Sequence, residues 1–263
     1  MNERRAYTRI DPGIARVGNT WFERTWSTFI GDTIELQHKS RGIEWTAGKS
    51  LEFHLEVDGE ALGVMELGER EWSEACNPFG AGLVARYGGD KLALVIGTLA
   101  LHTNPGMLRT AHIMNRSETP VRVNAVATEA LALRREDVRV YTQDFQREQV
   151  AVAWETSEST AALLHGDGGL VLGMQGGGRF ELFAPDGTQC VLRALEEKTL
   201  APGEHWRLPD TFVLPFSCSL KDCQEQVLPD FLLQVGHMWR WEAEVRAEQR
   251  AASDAAGQAA GNN

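Results

Sequence analysis

Apolar and polar residues alternate with a period of two along much of the first 216 positions. Successive side chains of a strand point to opposite faces, so this period predicts half-buried strands. Leu51, Phe53, Leu55 and Val57 fall on one face, and Glu52, His54, Glu56 and Asp58 on the other. Val121, Val123, Ala125 and Ala127 alternate with Arg122, Asn124 and Val126, and Val150, Val152 and Trp154 repeat the pattern briefly. Leu92-Ala93-Leu94-Val95-Ile96 is continuous instead, which predicts a strand covered on both faces.

Turn chemistry separates these runs. Asp58-Gly59, Gly88-Gly89-Asp90, Gly166-Asp167-Gly168-Gly169, Gly176-Gly177-Gly178, Asp186-Gly187 and Pro202-Gly203 supply the glycines that tight hairpins need. Such signals about ten residues apart, with no helical pattern between them, predict an antiparallel sandwich rather than βαβ units. The Gly88–Asp90 turn should join Leu83–Tyr87 to the central apolar run as a hairpin. The glycine groups match neither a dinucleotide fingerprint nor a phosphate loop, so no cofactor is expected.

The period changes near residue 222. Asp222 with Glu225 reads as a capping box, while Pro229 and Asp230 offer an alternative helix start. Phe231, Val235, Met238 and Val245 recur at helical spacing, with Leu232 and Trp239 widening the stripe. The chain thus divides into a β-sandwich over 1–221, a helix over 222–250 packed on it, and a tail over 251–263. That tail holds only small and polar residues and is expected to be disordered.

Composition narrows the function. With 37 acidic and 26 basic residues, the net charge of −11 repels phosphate backbones, and the basic pair Arg134-Arg135 is followed by Glu136-Asp137. Nucleic acid is not an expected partner. No apolar run approaches a membrane span, and Met1–Arg5 leads into no secretory core, so the expectation is a cytoplasmic protein with reduced thiols. Cys76, Cys190, Cys218 and Cys223 do not form a zinc set, and no metal is expected.

Candidate chemistry is sparse. His102 and His112 flank Asn104-Pro105-Gly106, a turn across which they could meet as an acid/base or metal pair. Glu66, Glu69, Glu71 and Glu74 surround Trp72, a pattern that fits a solvated surface better than a catalytic pair.

Three ordered segments resemble a known family. They are Gly18-Asn19-Thr20-Trp21-Phe22-Glu23-Arg24-Thr25-Trp26, with Asp32–Leu36 and Arg41–Trp45 after it; then Pro105, Leu108, Arg109, Ile113, Asn115, Ser117, Pro120 and Val121; then Leu200–Glu204 with Leu208–Phe212. Their order and spacing, from about Gly18 to Phe216, resemble the N-terminal domains of family 36 α-galactosidases. The resemblance implies a galactose-mutarotase-like supersandwich, two large antiparallel sheets stacked face to face. In those glycosidases the catalytic carboxylates lie in a (β/α)8 barrel that follows this domain. Here a single helix follows the sandwich motifs, so hydrolysis is not expected to carry over.

The expectation is a non-catalytic carbohydrate-binding or glycosidase-accessory module. It would bind sugar weakly, self-associate, or assemble with a separate catalytic chain. Trp72, Asn77, His102, Asn104, Arg109 and His112 are the residues expected to meet the sugar. A mutarotase-like epimerase or a lyase-like enzyme using His102 or His112 is the alternative, and a protein-interaction module is the third.

Overall fold

The computed structural model describes residues 5–48, 50–132, 138–142, 147–149, 154–156, 160–175, 178–183, 189–194 and 196–261. The expectations for Arg134–Asp137, Val150 and Val152, Gly176–Gly177 and Asp186–Gly187 lie outside them.

The described strands are antiparallel and form two layers. One layer is a ten-stranded sheet in the order β14-β13-β16-β17-β22-β11-β10-β9-β8, with β21 paired to β11. Its strands are β8 (Glu69–Asn77), β9 (Gly80–Gly88), β10 (Leu92–Leu101), β11 (Met107–Asn115), β13 (Arg139–Thr142), β14 (Arg147–Gln149), β16 (Thr160–His165), β17 (Gly168–Met174), β21 (His205–Arg207) and β22 (Thr211–Phe216).

The other layer is split. Strands β1 (Tyr7–Asp11), β2 (Ile14–Gly18), β3 (Phe22–Ser27), β4 (Thr33–His38) and β5 (Ile43–Glu44) make a five-stranded sheet. Beside it lies a seven-stranded sheet of β15 (Trp154–Thr156), β18 (Gly178–Phe183), β19 (Gln189–Ala194), β12 (Val121–Ala132), β6 (His54–Val57) and β7 (Glu60–Gly63), with β20 (Lys198–Leu200) paired to β12. A bridge between Thr33 and Ser50 and the bond from Ala47 N–H to Ala132 O stitch the two together. The supersandwich expectation therefore holds, with one layer made of two sheets.

Each half of the split layer has its own core against the large sheet. Phe22, Trp26, Leu36 and Trp45 pack on Leu83, Met107, Leu163, Leu170 and Leu172. Phe53, Leu55, Val121 and Val123 pack on Tyr87, Leu94, Ile96 and Ile113. The outer face of the large sheet carries the helix, where Phe231, Val235 and Met238 bury against Leu108, Val171, Phe212, Leu214 and Phe216. Gly169 and Gly173 stand opposite Phe216 and Phe212 in the register. A Cβ at either glycine would fall 2.0 or 2.1 Å from the facing ring, so the missing side chain is what lets each ring lie flat on the sheet.

The hairpins expected at Asp58-Gly59, Gly88–Asp90 and Gly166-Asp167 are present. Asp58 and Gly59 both have positive φ, 52° and 88°, the geometry that two-residue hairpins require.

Several expectations need correction. Leu92, Leu94 and Ile96 are buried, but Ala93 and Val95 are half-exposed, so β10 is fully covered on one face alone. Strand β6 starts at His54, and Leu51–Phe53 leave the sheet. Glu52, expected on the wet face, is consequently buried while Leu51 is exposed. In β12 the alternation slips: Val126 joins Val121 and Val123 in the core, and Ala127 packs elsewhere with Ala130 and Val191. The cause is an irregularity in register between Asn124 and Ala127 (the side chain of Ala125 is outside the described atoms).

The helix begins earlier than either predicted start. Ser219 caps α1 (Leu220–Asp222): its Oγ accepts from the Asp222 N–H and donates to the Asp222 carboxylate at 2.7 Å. A π-turn over Cys223–Val227 follows, closed by Leu228 N–H to Cys223 O, and then α2 (Leu228–Gly261). Pro229 lacks an N–H and cannot continue a regular ladder, and the wide turn just before it absorbs that break. The backbone of α2 stays helical to Gly261, through the stretch expected to be disordered. Six alanines between Ala251 and Ala260 account for it, because alanine has the highest helix propensity.

Candidate functional site

Register on the large sheet assembles a row, polar at four of its five positions, that no single stretch of sequence contains. Glu71 faces Arg86, Arg86 faces Val95, Val95 faces His112, and His112 faces Arg207. Their inward neighbours Trp72, Tyr87, Leu94, Ile113 and Trp206 are core residues, so the row points outward. It crosses five strands, about 19 Å at 4.8 Å per step. Ser73, Val84, Gly97 and Thr110 form the next row by the same pairings. A Cβ on Gly97 would come within 2.8 Å of Thr110 Oγ1, so the glycine leaves this second row low and open.

Arg86 is lightly held. It donates to Ser73 Oγ at 3.1 Å and stands 4.0 Å from Glu71. At the other end Arg207 donates to both carboxylate oxygens of Asp210, at 3.2 and 2.9 Å.

Arg207 is also where the row meets the helix. A cleft of about 430 Å³ opens there, lined by Gln175, Arg207, Leu208, Pro209, Asp210, Trp239, Glu242 and Ala243. Its walls combine an aromatic ring, an amide, an ion pair and a carboxylate. The Trp239 indole N–H is buried without a hydrogen-bond partner. An unpaired buried donor costs free energy.

Of the six residues expected to meet a sugar, His112 lies on this row. Trp72 points inward, its ring 5.9 Å from Trp26 and 6.3 Å from Tyr87. Asn77 Oδ1 accepts from the N–H groups of Phe79 and Gly80 and shapes the β8–β9 turn. His102 Nδ1 accepts from the Ala6 N–H at 3.0 Å. Asn104 Oδ1 accepts from the Gly106 N–H, and its carbonyl accepts from Asn19. His102 and His112 do not meet. His112 registers with Val95, seven positions from His102, which is roughly 20 Å along the strand.

Arg109 points inward to a buried ion cluster with Arg24, Glu52 and Glu129. Arg24 donates to Glu129 at 2.6 and 2.9 Å and to Glu52 at 2.6 Å. Arg109 donates to Glu129 at 2.8 Å and to Glu52 at 2.5 Å. Thr33 Oγ1 accepts from Arg24 Nε and donates to Glu52. Burial alone would raise the Glu129 carboxyl, but Arg109 and Arg24 overcome it and hold it well below its ordinary value. Burial would likewise lower Arg24, and Glu129 and Glu52 hold it above the usual range. The cluster joins β3, β11, β12 and the segment before β6, and so clamps all three sheets.

The residues that carry the family resemblance are therefore scaffold residues. Arg24 and Arg109 belong to the clamp. Asn19 Oδ1 accepts from Trp21 and Phe22, and its amide donates to Leu101 and Asn104. Asn115 donates to Thr119 and Leu200 from the base of the β11–β12 turn.

Sequence reading took Glu71 for part of a solvated surface and did not single out Arg86, Arg207, Asp210 or Glu242 as site residues. One signal was present: in His205-Trp206-Arg207 a core tryptophan places both neighbours outward. Among the described residues no cluster of His, Cys, Asp and Glu is arranged to hold a metal, and no helix is long and apolar enough to cross a membrane.

No family model matches the sequence, and no curated protein matches it. Solved structures do match in shape. The GH36 alpha-galactosidase AgaB of Geobacillus stearothermophilus superimposes with a TM-score of 0.60 at 8% identity, over 81% of this chain and 41% of that one. A galactose mutarotase-like protein of Clostridium acetobutylicum gives 0.55 at 9% identity, over 83% of this chain and 100% of its own. The alpha-N-acetylgalactosaminidase NagBb of Bifidobacterium bifidum gives 0.54 at 10%, over 81% and 36%. The chain thus spans well under half the length of the glycosidases it matches, and the described residues contain no (β/α)8 barrel. Its fold is that of the galactose-mutarotase-like domain at the N-terminus of the GH36 α-galactosidases.

Proposed function

We propose that this chain is a carbohydrate-binding accessory module whose sugar lies on the outer face of the large sheet, along the row from Arg86 to Arg207 and into the cleft beside Trp239. The observation that carries this reading is the row itself: a five-strand surface, polar at four of its five positions, that ends at an aromatic wall. A pyranose offers an apolar C–H face for the indole and hydroxyls for Arg207, Gln175 and Glu242. The shape match to enzymes named for galactosides makes α-galactosides the first sugars to try. Each exposed hydrogen bond is offset by competing water and contributes about 1 kcal/mol. A handful of them gives affinities of roughly 1 mM, about −4 kcal/mol. Weak binding of that kind suits a module that works beside a separate catalytic chain or as a self-associated array, where linked sites add avidity.

The test is an NMR titration with galactose, α-galactosides and glucosides, run beside chromogenic glycoside assays. Saturable shifts at His112, Arg207 and Trp239 that Arg86→Ala or Arg207→Ala weakens support the module. Turnover abolished by His112→Ala would replace it with the epimerase or lyase reading. Silence across the whole panel would shift the assignment to a protein-interaction module.

A further inference from the structure

A second cleft, of about 570 Å³, opens at the opposite end of β22, where the five-stranded sheet meets the start of the helix. Trp21, Pro105, Pro215, Phe216 and Val227 give it apolar walls, and His38, Ser40, Arg41, Ser217 and Cys218 supply its polar side. The volume lies in the range of small-molecule sites, as does the mix of apolar wall and few polar groups.

The polar side is organised around Ser217. His38 Nε2 stands 3.4 Å from Ser217 Oγ, a loose contact that leaves the hydroxyl able to reorient. Arg41 Nη2 donates to the Ser217 carbonyl at 3.2 Å, and Nη1 to Asp167 at 2.7 Å. His38 is 2% exposed, and its Nδ1 has no hydrogen-bond partner. Burial first, and then Arg41, lower its pKa to about 4, so the ring is neutral at neutral pH. Arg41 is then the one cation among the lining residues. Its partner Asp167 is 76% exposed on a hairpin turn. An ion pair that open to water is worth little, and a second carboxylate can displace it.

We infer that this cleft binds a small amphiphilic carboxylate, its anion on Arg41 and Ser217 and its apolar body against Trp21 and Phe216. The Arg41 side chain is 35% exposed and Phe216 only 4%, so the ligand keeps its charge on the more open side and turns its body inward. Asp167 acts as a tethered competitor for the same guanidinium. The site is separate from the sugar row and does not depend on it.

The probe is phenylacetate, with phenylacetamide as a neutral ligand of the same shape, titrated into the full chain by NMR. Saturable shifts at Ser40, Arg41 and Ser217 are expected, with the amide at least about five-fold weaker because it forfeits the charge-assisted bond. Arg41→Gln should lower affinity to the level of the amide. Asp167→Asn should tighten phenylacetate about two- to five-fold by removing the competitor, and leave the amide unchanged. Equal binding of acid and amide, weaker binding by Asp167→Asn, or shifts confined to the Trp239 cleft would each overturn the assignment. So would the absence of any saturable shift up to about 10 mM, an affinity near −3 kcal/mol.

Discussion

Arg24 and Glu129 stand 105 residues apart in sequence and are joined by two hydrogen bonds, of 2.6 and 2.9 Å, with almost no exposed surface on either side chain. Removing one partner of such a pair strands the other charge in a low-dielectric interior. Arg24→Met or Glu129→Gln should therefore cost about 3–5 kcal/mol. Replacing Arg24, Glu52, Arg109 and Glu129 together by apolar residues of matched volume should cost far less. Denaturant melts of the single and quadruple variants decide it, and a single variant within about 1 kcal/mol of wild type would show that the cluster does not clamp the sheets.

His38 makes stability depend on pH. Its ordinary pKa of 6.5 is lowered to about 4 in the fold, by burial and then by Arg41. Between these values the unfolded chain binds a proton that the folded chain does not. Stability from this residue is thus fully present above pH 6.5 and declines as pH falls towards 4. The expected loss is about 1–2 kcal/mol. His38→Gln should flatten the stability curve across that window. Glu129 acts lower: its depressed carboxyl gives stability that is present above 4.5 and is lost in stronger acid.

Two glycines should respond in opposite directions to the same change. Gly173→Ala drives a methyl into the Phe212 ring and should cost about 1–3 kcal/mol. Gly236, in α2, has open space at its Cβ position, and Gly236→Ala should stabilise by about 0.5–1 kcal/mol through helix propensity. Thermal melts of both variants check the pair, and two shifts of the same sign would refute the packing account.

Truncation separates the two halves of the helix. Ending the chain at Arg250 removes only small and polar side chains and should leave the melting temperature unchanged. Ending it at Gln234 removes Val235 and Met238, 0% and 2% exposed, and should cost about 3 kcal/mol or more. Equal melting temperatures would mean that the helix does not pack.

What the sequence made legible was local. Hairpins such as Gly166-Asp167 could be read from turn chemistry, and the buried stripe of Phe231, Val235 and Met238 from its period, because both depend on residues close in the chain. The helix was expected from 222, and Ser219 caps it three residues earlier; the π-turn that carries the chain past Pro229 was not legible in the sequence. Glu52 looked solvated because alternation cannot show where a strand leaves its sheet. The candidate site was hidden for a related reason. Arg86, His112 and Arg207 become neighbours only through the register of β9, β10, β11 and β21. Trp239 was legible as a core residue, but its second role as a cleft wall depends on where the helix crosses the sheet.

The ion clamp also bears on how the chain reaches this state. Its four charges arrive from segments as far as 105 residues apart, and any three of them without the fourth leave one charge dehydrated and unmatched. Half-assembled sandwiches are thereby penalised, whatever apolar area they have already gathered. Because the cluster bridges all three sheets, it couples the stability of the two cores to each other. Such long-range closure favours slow folding, on the millisecond-to-second scale of β topologies, and a single cooperative transition in which the two halves of the split layer melt together.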